Sequence, residues 1–216
     1  FLDLPMAIKK IGISCRVTNA INYDEKRDSI SHDWITFFNK LNFSPVLIPN
    51  KIDHIDSFLN EIKIDGIILS GGDNIGDFPE RDSTENKLIE YSIEKKLPIL
   101  GVCRGMQILN RFFGGDHEEN SLQTHVKTHH KISLIDKKFD LDDSDTITVN
   151  SFHNNLITST NLAKSLKSFA ISQSDGYIEG FIHDSLSIIG VMWHPERSMD
   201  NYNELFLKNI FKQGSD

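Results

Sequence analysis

The chain has 216 residues, 38% of them hydrophobic and 25% charged, a composition that fits a single folded domain over residues 1–216. Its formal net charge of −8 argues against a surface for nucleic acid or for an anionic membrane, because both require a basic face. Two widely separated cysteines, no apolar run of membrane-spanning length and no signal-peptide pattern predict a cytoplasmic protein without a disulfide framework.

The first half of the chain alternates short apolar runs with longer amphipathic segments. We expect strands over Lys9–Cys15, Pro45–Ile48, Gly66–Ser70 and Ile99–Cys103, and helices over Ser31–Leu41, Ile55–Ile62 and Thr84–Lys95, the last capped by Asp82 or Ser83. Apolar strands separated by helices are typical of a parallel sheet covered on both faces. The pattern therefore predicts an α/β fold.

The second half has a different pattern. Residues 116–165 are polar and irregular apart from one strand-like run, TITVNSFH. Three more runs, SFAISQS, YIEGFIH and SIIGVMWH, follow at short spacing with turn residues between them, which favours antiparallel or mixed pairing. An amphipathic helix over Asn201–Phe211 is expected to close the domain.

The segment PILGVCRGMQILNRFFGG places Cys103 between two glycines, after an apolar strand and before a helix. This is the layout of a nucleophile elbow, in which flanking glycines permit a sharp turn that exposes the nucleophile. A thiol at a helix N-terminus is shifted toward the reactive thiolate. A buried structural cysteine is the alternative, because free cysteine is among the most buried residue types.

A cysteine nucleophile requires a base, and GVMWHPER provides His194 with Glu196 two residues later. In an extended segment these two side chains project to the same side, and Pro195 disfavours a helix. The Glu196 carboxylate would accept the Nδ1–H of His194 and leave Nε2 for the proton of Cys103. Taken alone, His194 is more often a polar residue at a strand end.

A third segment, GIILSGGD, ends a buried strand in Gly71 and Gly72. Backbone N–H groups at such a turn can approach a substrate closely, so we expect the N–H groups of Gly72 and Arg104 to bind an oxyanion. A simple glycine turn is the alternative.

In the order S-G-G-D, G-V-C-R-G-M-Q, W-H-P-E, these segments resemble the class I glutamine amidotransferase-like family over roughly residues 9 to 200. The resemblance implies a flavodoxin-like three-layer α/β sandwich with a mostly parallel central sheet and antiparallel C-terminal strands. It also implies a Cys103–His194–Glu196 triad, no cofactor, and cleavage of a γ-glutamyl amide through a covalent thioester.

Within that family, RDSTENKLIE, GMQILN, VNSFHNN and SDGYIEGF look most like the free-standing γ-glutamyl hydrolases, such as γ-glutamyl-γ-aminobutyrate hydrolase. By motif match, the resemblance places the small-molecule γ-glutamyl group at Gly71, Gly72, Gln107, Asn150, Ser151 and His153. The chain departs from the pattern after Gly115 and at Asn154 and Asn155, where the leaving group would bind. The motifs therefore leave the leaving group open.

One part of the polar segment is locally basic and contains His125, Lys127, His129, His130 and Lys131. A solvated loop is one interpretation. A metal site is a second, but no cysteine or ordered carboxylate partner supports it, so no metal is predicted. An anion clamp for a phosphate-bearing leaving group is the third.

The third interpretation suits a γ-glutamyl-CDP-amidate, hydrolysed to cytidine diphosphoramidate for capsule polysaccharide modification, and this is the specific expectation. A γ-glutamyl-γ-aminobutyrate or γ-glutamyl peptide hydrolase, a glutaminase subunit of an amidotransferase, and a non-enzymatic ligand-binding or redox-sensing module are the alternatives. The sequence leaves the oligomeric state open, a homodimer included.

Overall fold

A computed structural model describes residues 8–119, 125–136 and 144–212 of the chain. Parts of the predicted irregular segment, residues 120–124 and 137–143, lie outside the described residues. No helix in the described ranges combines the length and apolar character needed to cross a membrane.

Strands and helices alternate through the first half of the chain, and strands dominate the second. The strands are β1 (Lys10–Ser14), β2 (Arg16–Asn19), β3 (Lys26–Ser29), β4 (Ser44–Ile48), β5 (Gly66–Leu69), β6 (Ile99–Val102), β7 (Glu118–Glu119), β8 (Val126–Leu134), β9 (Thr146–Phe152), β10 (Asn155–Leu156), β11 (Leu166–Ser172), β12 (Ile178–His183) and β13 (Ile188–Val191). The helices are α1 (His32–Leu41), α2 (Ile55–Ile62), α3 (Pro79–Lys95), α4 (Arg104–Phe112), α5 (Pro195–Ser198) and α6 (Asn201–Lys212).

Nine strands of the described chain form one mixed sheet in the order β4-β1-β5-β6-β13-β12-β11-β8-β9. The half from β4 to β13 is parallel, since β13 pairs in parallel with β6. The half from β13 to β9 is antiparallel. The expected α/β architecture with antiparallel C-terminal strands is therefore confirmed.

The sheet is buried on both faces. Along β5, Ile67 and Leu69 pack in one apolar cluster with α2, α3 and α4, whereas Ile68 packs in a second cluster with α1 and α6. Alternate residues of a strand point to opposite faces, so the unbroken apolar run GIIL fills both cores. The result is the expected three-layer arrangement.

The start of α3 corrects the sequence-based prediction. The helix begins at Pro79, not at Thr84, so Asp82 and Ser83 lie inside its first turns and do not cap it. Proline is well suited to a first helical turn because its fixed φ matches the helix and the missing N–H has no partner there. Glu80 and Asp82 place negative charge beside the positive end of the helix dipole.

The basic segment is also not a loop. It forms β8, which pairs antiparallel with β9 on one side and β11 on the other. The sequence of this segment does not predict a strand, because the segment is polar. Hydrogen bonding to the neighbouring strands β9 and β11 holds it in the sheet.

Candidate active site

Cys103 lies at the sharp turn between β6 and α4. It has φ 53° and ψ −106°, a conformation that L residues rarely adopt and that stores strain.

The glycines that flank Cys103, Gly101 and Gly105, have a different role from the predicted one. A Cβ on Gly105 would lie 2.1 Å from the carbonyl oxygen of Leu69, and one on Gly101 would lie 2.4 Å from the carbonyl oxygen of Gly105. These glycines let α4 pack closely on the sheet, and Cys103 itself makes the turn.

The sulfur is less exposed than the elbow layout predicted. Cys103 is 7% exposed and lies at a cavity of about 290 Å³ at the carboxyl ends of β5 and β6. The predicted site residues that line this cavity are Gly72, Cys103, Arg104, Gln107, His153 and His194. The thiol is therefore both buried and adjacent to a space where a small molecule can bind.

His194 and Glu196 adopt the predicted pairing through a different local structure. The Nδ1 atom of His194 lies 2.8 Å from Oε1 of Glu196, and both side chains are buried. Pro195 does not keep the segment extended: His194 precedes α5, and Glu196 lies in the first turn of that helix. Because the Glu196 carboxylate accepts a hydrogen bond from Nδ1–H, Nε2 is the nitrogen left for Cys103.

The pair formed by Cys103 and His194 favours charge separation. Burial alone would raise the pKa of the Cys103 thiol, but hydrogen bonding to His194, positive charge on His194 and His153, and the N–H of Arg104 lower that pKa below its ordinary value. Burial would lower the pKa of His194, yet contacts with Cys103 and Glu196 raise it to about 9. A thiolate beside an imidazolium is the reactive form of such a pair.

Two predicted substrate contacts hold the site together and do not line the cavity. The Asn150 amide donates to the backbone carbonyl of His194 at 2.8 Å, and the backbone N–H of His194 donates to Oδ1 of Asn150 at 2.9 Å. Ser151 is fully buried and its hydroxyl donates to the carbonyl of His125 at 2.8 Å. Both side chains therefore have partners within the protein itself, and the prediction that they bind substrate stays a prediction.

The turn containing Gly71 and Gly72 follows β5. A Cβ on Gly71 would lie 2.7 Å from Cε1 of His194, so only glycine leaves room for the imidazole ring. Gly72 has φ 91°, in the region that favours glycine, and lines the cavity beside Cys103. This places the two predicted oxyanion donors, at Gly72 and Arg104, on the wall of one cavity.

A buried ion-pair network supports this turn, and the sequence analysis did not identify it. The Arg81 guanidinium in α3 donates to the carbonyls of Ser70, Gly71 and Gly72 at 2.7, 3.1 and 3.2 Å. Glu85 accepts from Arg81 at 3.0 Å and also contacts the guanidinium of Arg104. The i,i+4 spacing of an arginine and a glutamate in RDSTE was the available signal, but the wrong helix start concealed it.

Amides and one guanidinium line the part of the cavity formed by residues 154, 155 and 197. Asn154 and Asn155 line it, and Nδ2 of Asn155 donates to Oε1 of Gln107 at 3.3 Å. The guanidinium carbon of Arg197 lies 4.2 Å from the centroid of the Phe152 ring. Arg197 lines the cavity, and 33% of its side-chain surface is exposed. Arg197 was part of the quoted GVMWHPER segment, but only the fold brings it to this wall.

The basic segment splits between two environments. Lys127, His129 and Lys131 are exposed on β8, whereas His125 is buried and His130 is mostly buried. His125 contacts Asp175 at 2.7 Å, and His130 lies 3.3 Å from Glu179. None of the five belongs to the described lining of the cavity, although Val126 does. The structure therefore does not bring them together as a clamp around the Cys103 cavity.

Comparisons with known proteins show the family to which the chain belongs. A family model described as Peptidase C26 matches residues 10–196. A relative from Campylobacter jejuni named gamma-glutamyl-CDP-amidate hydrolase is 32% identical over 210 residues, covering 93% of this chain and 96% of that protein. A glutamine-hydrolysing GMP synthase subunit from Methanococcus vannielii is 30% identical over 176 residues, covering 76% of this chain and 84% of that protein.

Among solved structures, a Thermoplasma acidophilum protein described as a GMP synthase subunit superposes with a TM-score of 0.73 at 25% identity. The match covers 95% of this chain and 93% of that one. The flavodoxin-like class I glutamine amidotransferase fold expected from the sequence is confirmed.

Proposed function

Because the chain belongs to the Peptidase C26 family, we propose that it is a hydrolase that uses Cys103 to cleave γ-glutamyl amide or amidate bonds and release glutamate. One observation carries the proposal: a thiol with a lowered pKa contacts a histidine whose other ring nitrogen lies 2.8 Å from Glu196, at a cavity. Nucleophile, base and orienting carboxylate are the three groups that acyl transfer requires.

In the first half-reaction, the Cys103 thiolate attacks the γ-carbonyl carbon of the substrate and forms a carbon–sulfur bond. The carbonyl oxygen becomes an oxyanion, which the N–H groups of Gly72 and Arg104 stabilise. The carbon–nitrogen bond then breaks, and the His194 imidazolium gives its Nε2 proton to the departing nitrogen. A γ-glutamyl thioester remains on Cys103.

In the second half-reaction, neutral His194 takes a proton from a water molecule as that water attacks the thioester carbon. The carbon–sulfur bond breaks, glutamate leaves, and the thiolate–imidazolium pair is restored. Glu196 keeps the imidazole in one tautomer and orientation throughout and does not itself take the proton.

For the leaving group we propose a nucleoside diphosphoramidate, so that the substrate is a γ-glutamyl-CDP-amidate. The relative of that name supports this choice. The cavity adds an independent reason, since the Arg197 guanidinium and the amides of Asn154 and Asn155 provide hydrogen-bond donors for phosphate oxygens. The product, a cytidine diphosphoramidate, would serve a transferase that modifies capsule polysaccharide.

A glutaminase subunit that passes ammonia to a synthetase is the second candidate. The Methanococcus vannielii and Thermoplasma acidophilum proteins, both described as GMP synthase subunits, support it. The two candidates differ in the substrate that the isolated chain hydrolyses.

Glutamate release from a substrate panel tests the proposal. The panel contains γ-glutamyl-CDP-amidate, γ-glutamyl-γ-aminobutyrate, a γ-glutamyl peptide and glutamine. We expect the nucleotide amidate to have the highest kcat/KM and Cys103→Ala to abolish turnover of every substrate. Unchanged turnover in Cys103→Ala would refute the mechanism, and a preference for glutamine that requires a partner protein would favour the glutaminase.

Arg197→Ala separates the substrate proposal from the mechanism. Losing one charge-assisted contact is expected to lower kcat/KM for the nucleotide amidate about ten- to a hundred-fold, with little change for the γ-glutamyl peptide. An equal loss on both substrates would mean that Arg197 acts through its neighbour Glu196 and does not bind phosphate. Lys131→Ala, on the exposed face of β8, is the matched control.

A further inference from the structure

A second cluster of ionisable side chains lies beside the Cys103 cavity. Glu179 in β12 is fully buried, and among the described residues no donor reaches either carboxylate oxygen in good hydrogen-bond geometry. Burial would raise the pKa of Glu179, but attraction to His130 and His153 lowers it to about 2. His125, His130 and His153 surround it, with ring nitrogens 3.9, 3.3 and 3.6 Å from Oε1 of Glu179. A buried carboxylate without donors is costly, so this arrangement requires a positive charge among these groups.

The partners of the two most buried rings fix which nitrogen of each faces Glu179. Nε2 of His125 lies 2.7 Å from Asp175, so Nε2 carries the proton and Nδ1 presents a lone pair. Nδ1 of His153 donates to the backbone carbonyl of Asn155 at 3.0 Å, so Nε2 is the nitrogen that faces Glu179. Burial would lower the pKa of His153, but Glu179 raises it, and a bound cation would replace the Nε2 proton of the imidazolium. A carboxylate or carbonyl behind each imidazole is the arrangement that typically orients metal-ligating histidines.

The ligand atoms have the spacing of a cation site. One atom each from His125, His153 and Glu179 lies within 4.8 Å of the others. Ligands about 2.0–2.1 Å from a tetrahedral zinc ion are roughly 3.4 Å apart. The separations of 3.9 and 3.6 Å from Glu179 come within small side-chain rotations of that value.

We propose that His125, His153 and Glu179 bind a first-row divalent cation, with Zn²⁺ the best match to two imidazoles and one carboxylate. The site joins the start of β8, the end of β9 and the body of β12. Its occupancy would hold His153, which lines the Cys103 cavity, in one position. The proposal concerns binding and is independent of the reaction assigned to Cys103.

The test measures zinc bound to the full chain, purified without a histidine tag, stripped with EDTA, and then desalted after addition of ZnCl₂. We expect one zinc per chain by elemental analysis and a higher unfolding temperature that EDTA reverses. Co²⁺ in place of Zn²⁺ should give tetrahedral d–d absorption without a thiolate charge-transfer band, because no ligand is a cysteine.

Variants localise the binding. His125→Ala and Glu179→Gln should lose it, whereas His129→Ala, which changes an exposed histidine of β8, should retain one zinc per chain. Cys103→Ala should also retain it. Loss of zinc in Cys103→Ala would overturn the proposal by placing the ion on the active-site thiol, as would retention in Glu179→Gln or no stoichiometric binding by the unmodified chain.

Glu179→Gln is buried and can impair folding, so a partly exposed residue provides a second variant. Asp175→Asn leaves the three ligands intact but weakens the group that orients His125. Zinc affinity should fall about ten- to a hundred-fold in this variant. An unchanged affinity in folded Asp175→Asn would contradict the proposed role of His125.

Discussion

The two cysteines of the chain have opposite chemistry. Burial, together with the charge of Asp28, raises the pKa of the Cys15 thiol to about 11, whereas contact with His194 lowers that of Cys103. The sequence distinguishes them by their surroundings, because only Cys103 follows a strand and precedes a helix. Its positive φ could not be predicted, since nothing in GVCRG indicates that the cysteine and not a glycine adopts the strained conformation.

This difference predicts selective alkylation. At pH 7.5, iodoacetamide should modify Cys103 and leave Cys15 unmodified, because the thiolate is the attacking form. His194→Ala should slow modification of Cys103 about ten-fold, since it removes the hydrogen bond and charge that lower the thiol pKa. Peptide mass spectrometry over a time course measures both rates. Equal labelling of the two cysteines, or no change in His194→Ala, would contradict the assigned pair.

At the scale of elements, α3 holds the Gly71–Gly72 turn through one side chain. Arg81 is fully buried and donates to three consecutive carbonyls of the segment after β5. The sequence predicts the helix but not its start, because the structure begins it at Pro79, five residues before the predicted Thr84. Arg81 lies outside the predicted helix, which began at Thr84, but inside the observed one.

We therefore expect Arg81→Met to be destabilising and less active. Removing one partner from a buried ion pair costs about 3–5 kcal/mol, because the Glu85 charge stays buried. Displacement of the turn should also lower kcat more than it changes KM, since an oxyanion donor acts in the transition state. Urea denaturation and steady-state kinetics measure the two effects. Arg111→Met, on the exposed side of α4, is the control and should behave like the unmodified chain.

At the scale of the whole molecule, a buried charge network links α3, α4 and the sheet, and it makes stability depend on pH. Burial would raise the pKa of Glu85, but the charges of Arg81 and Arg104 and a hydrogen bond from Ser14 lower it below 4.5. The stabilising contribution of Glu85 is therefore fully present above pH 4.5, the value for the unfolded chain, and is lost as the pH falls toward the folded value.

The free energy of unfolding should accordingly fall below about pH 4.5, by up to about 1.4 kcal/mol per pH unit from this group. Urea denaturation at pH 6, 4.5 and 3.5, with EDTA present, measures the slope. Glu85→Gln should flatten it, whereas Glu94→Gln, whose carboxylate is 70% exposed, should not. The same slope in Glu85→Gln and in the unmodified chain would assign acid sensitivity to other groups.

Local patterns in the sequence determined the α/β class, most element positions in the first half, and the prediction that Cys103, His194 and Glu196 act together. These features depend on apolar periodicity and on short motifs, which neighbouring residues encode. The tertiary structure alone decided that the basic segment is a strand, that Asn150 and Ser151 support the site, and that Arg197 reaches the cavity. It also brought Glu179 to His125 and His153, and this carboxylate is the partner whose absence from the local sequence argued against a metal site. Such contacts join residues far apart in the chain, and only the pairing of strands across the sheet brings them within a few ångströms.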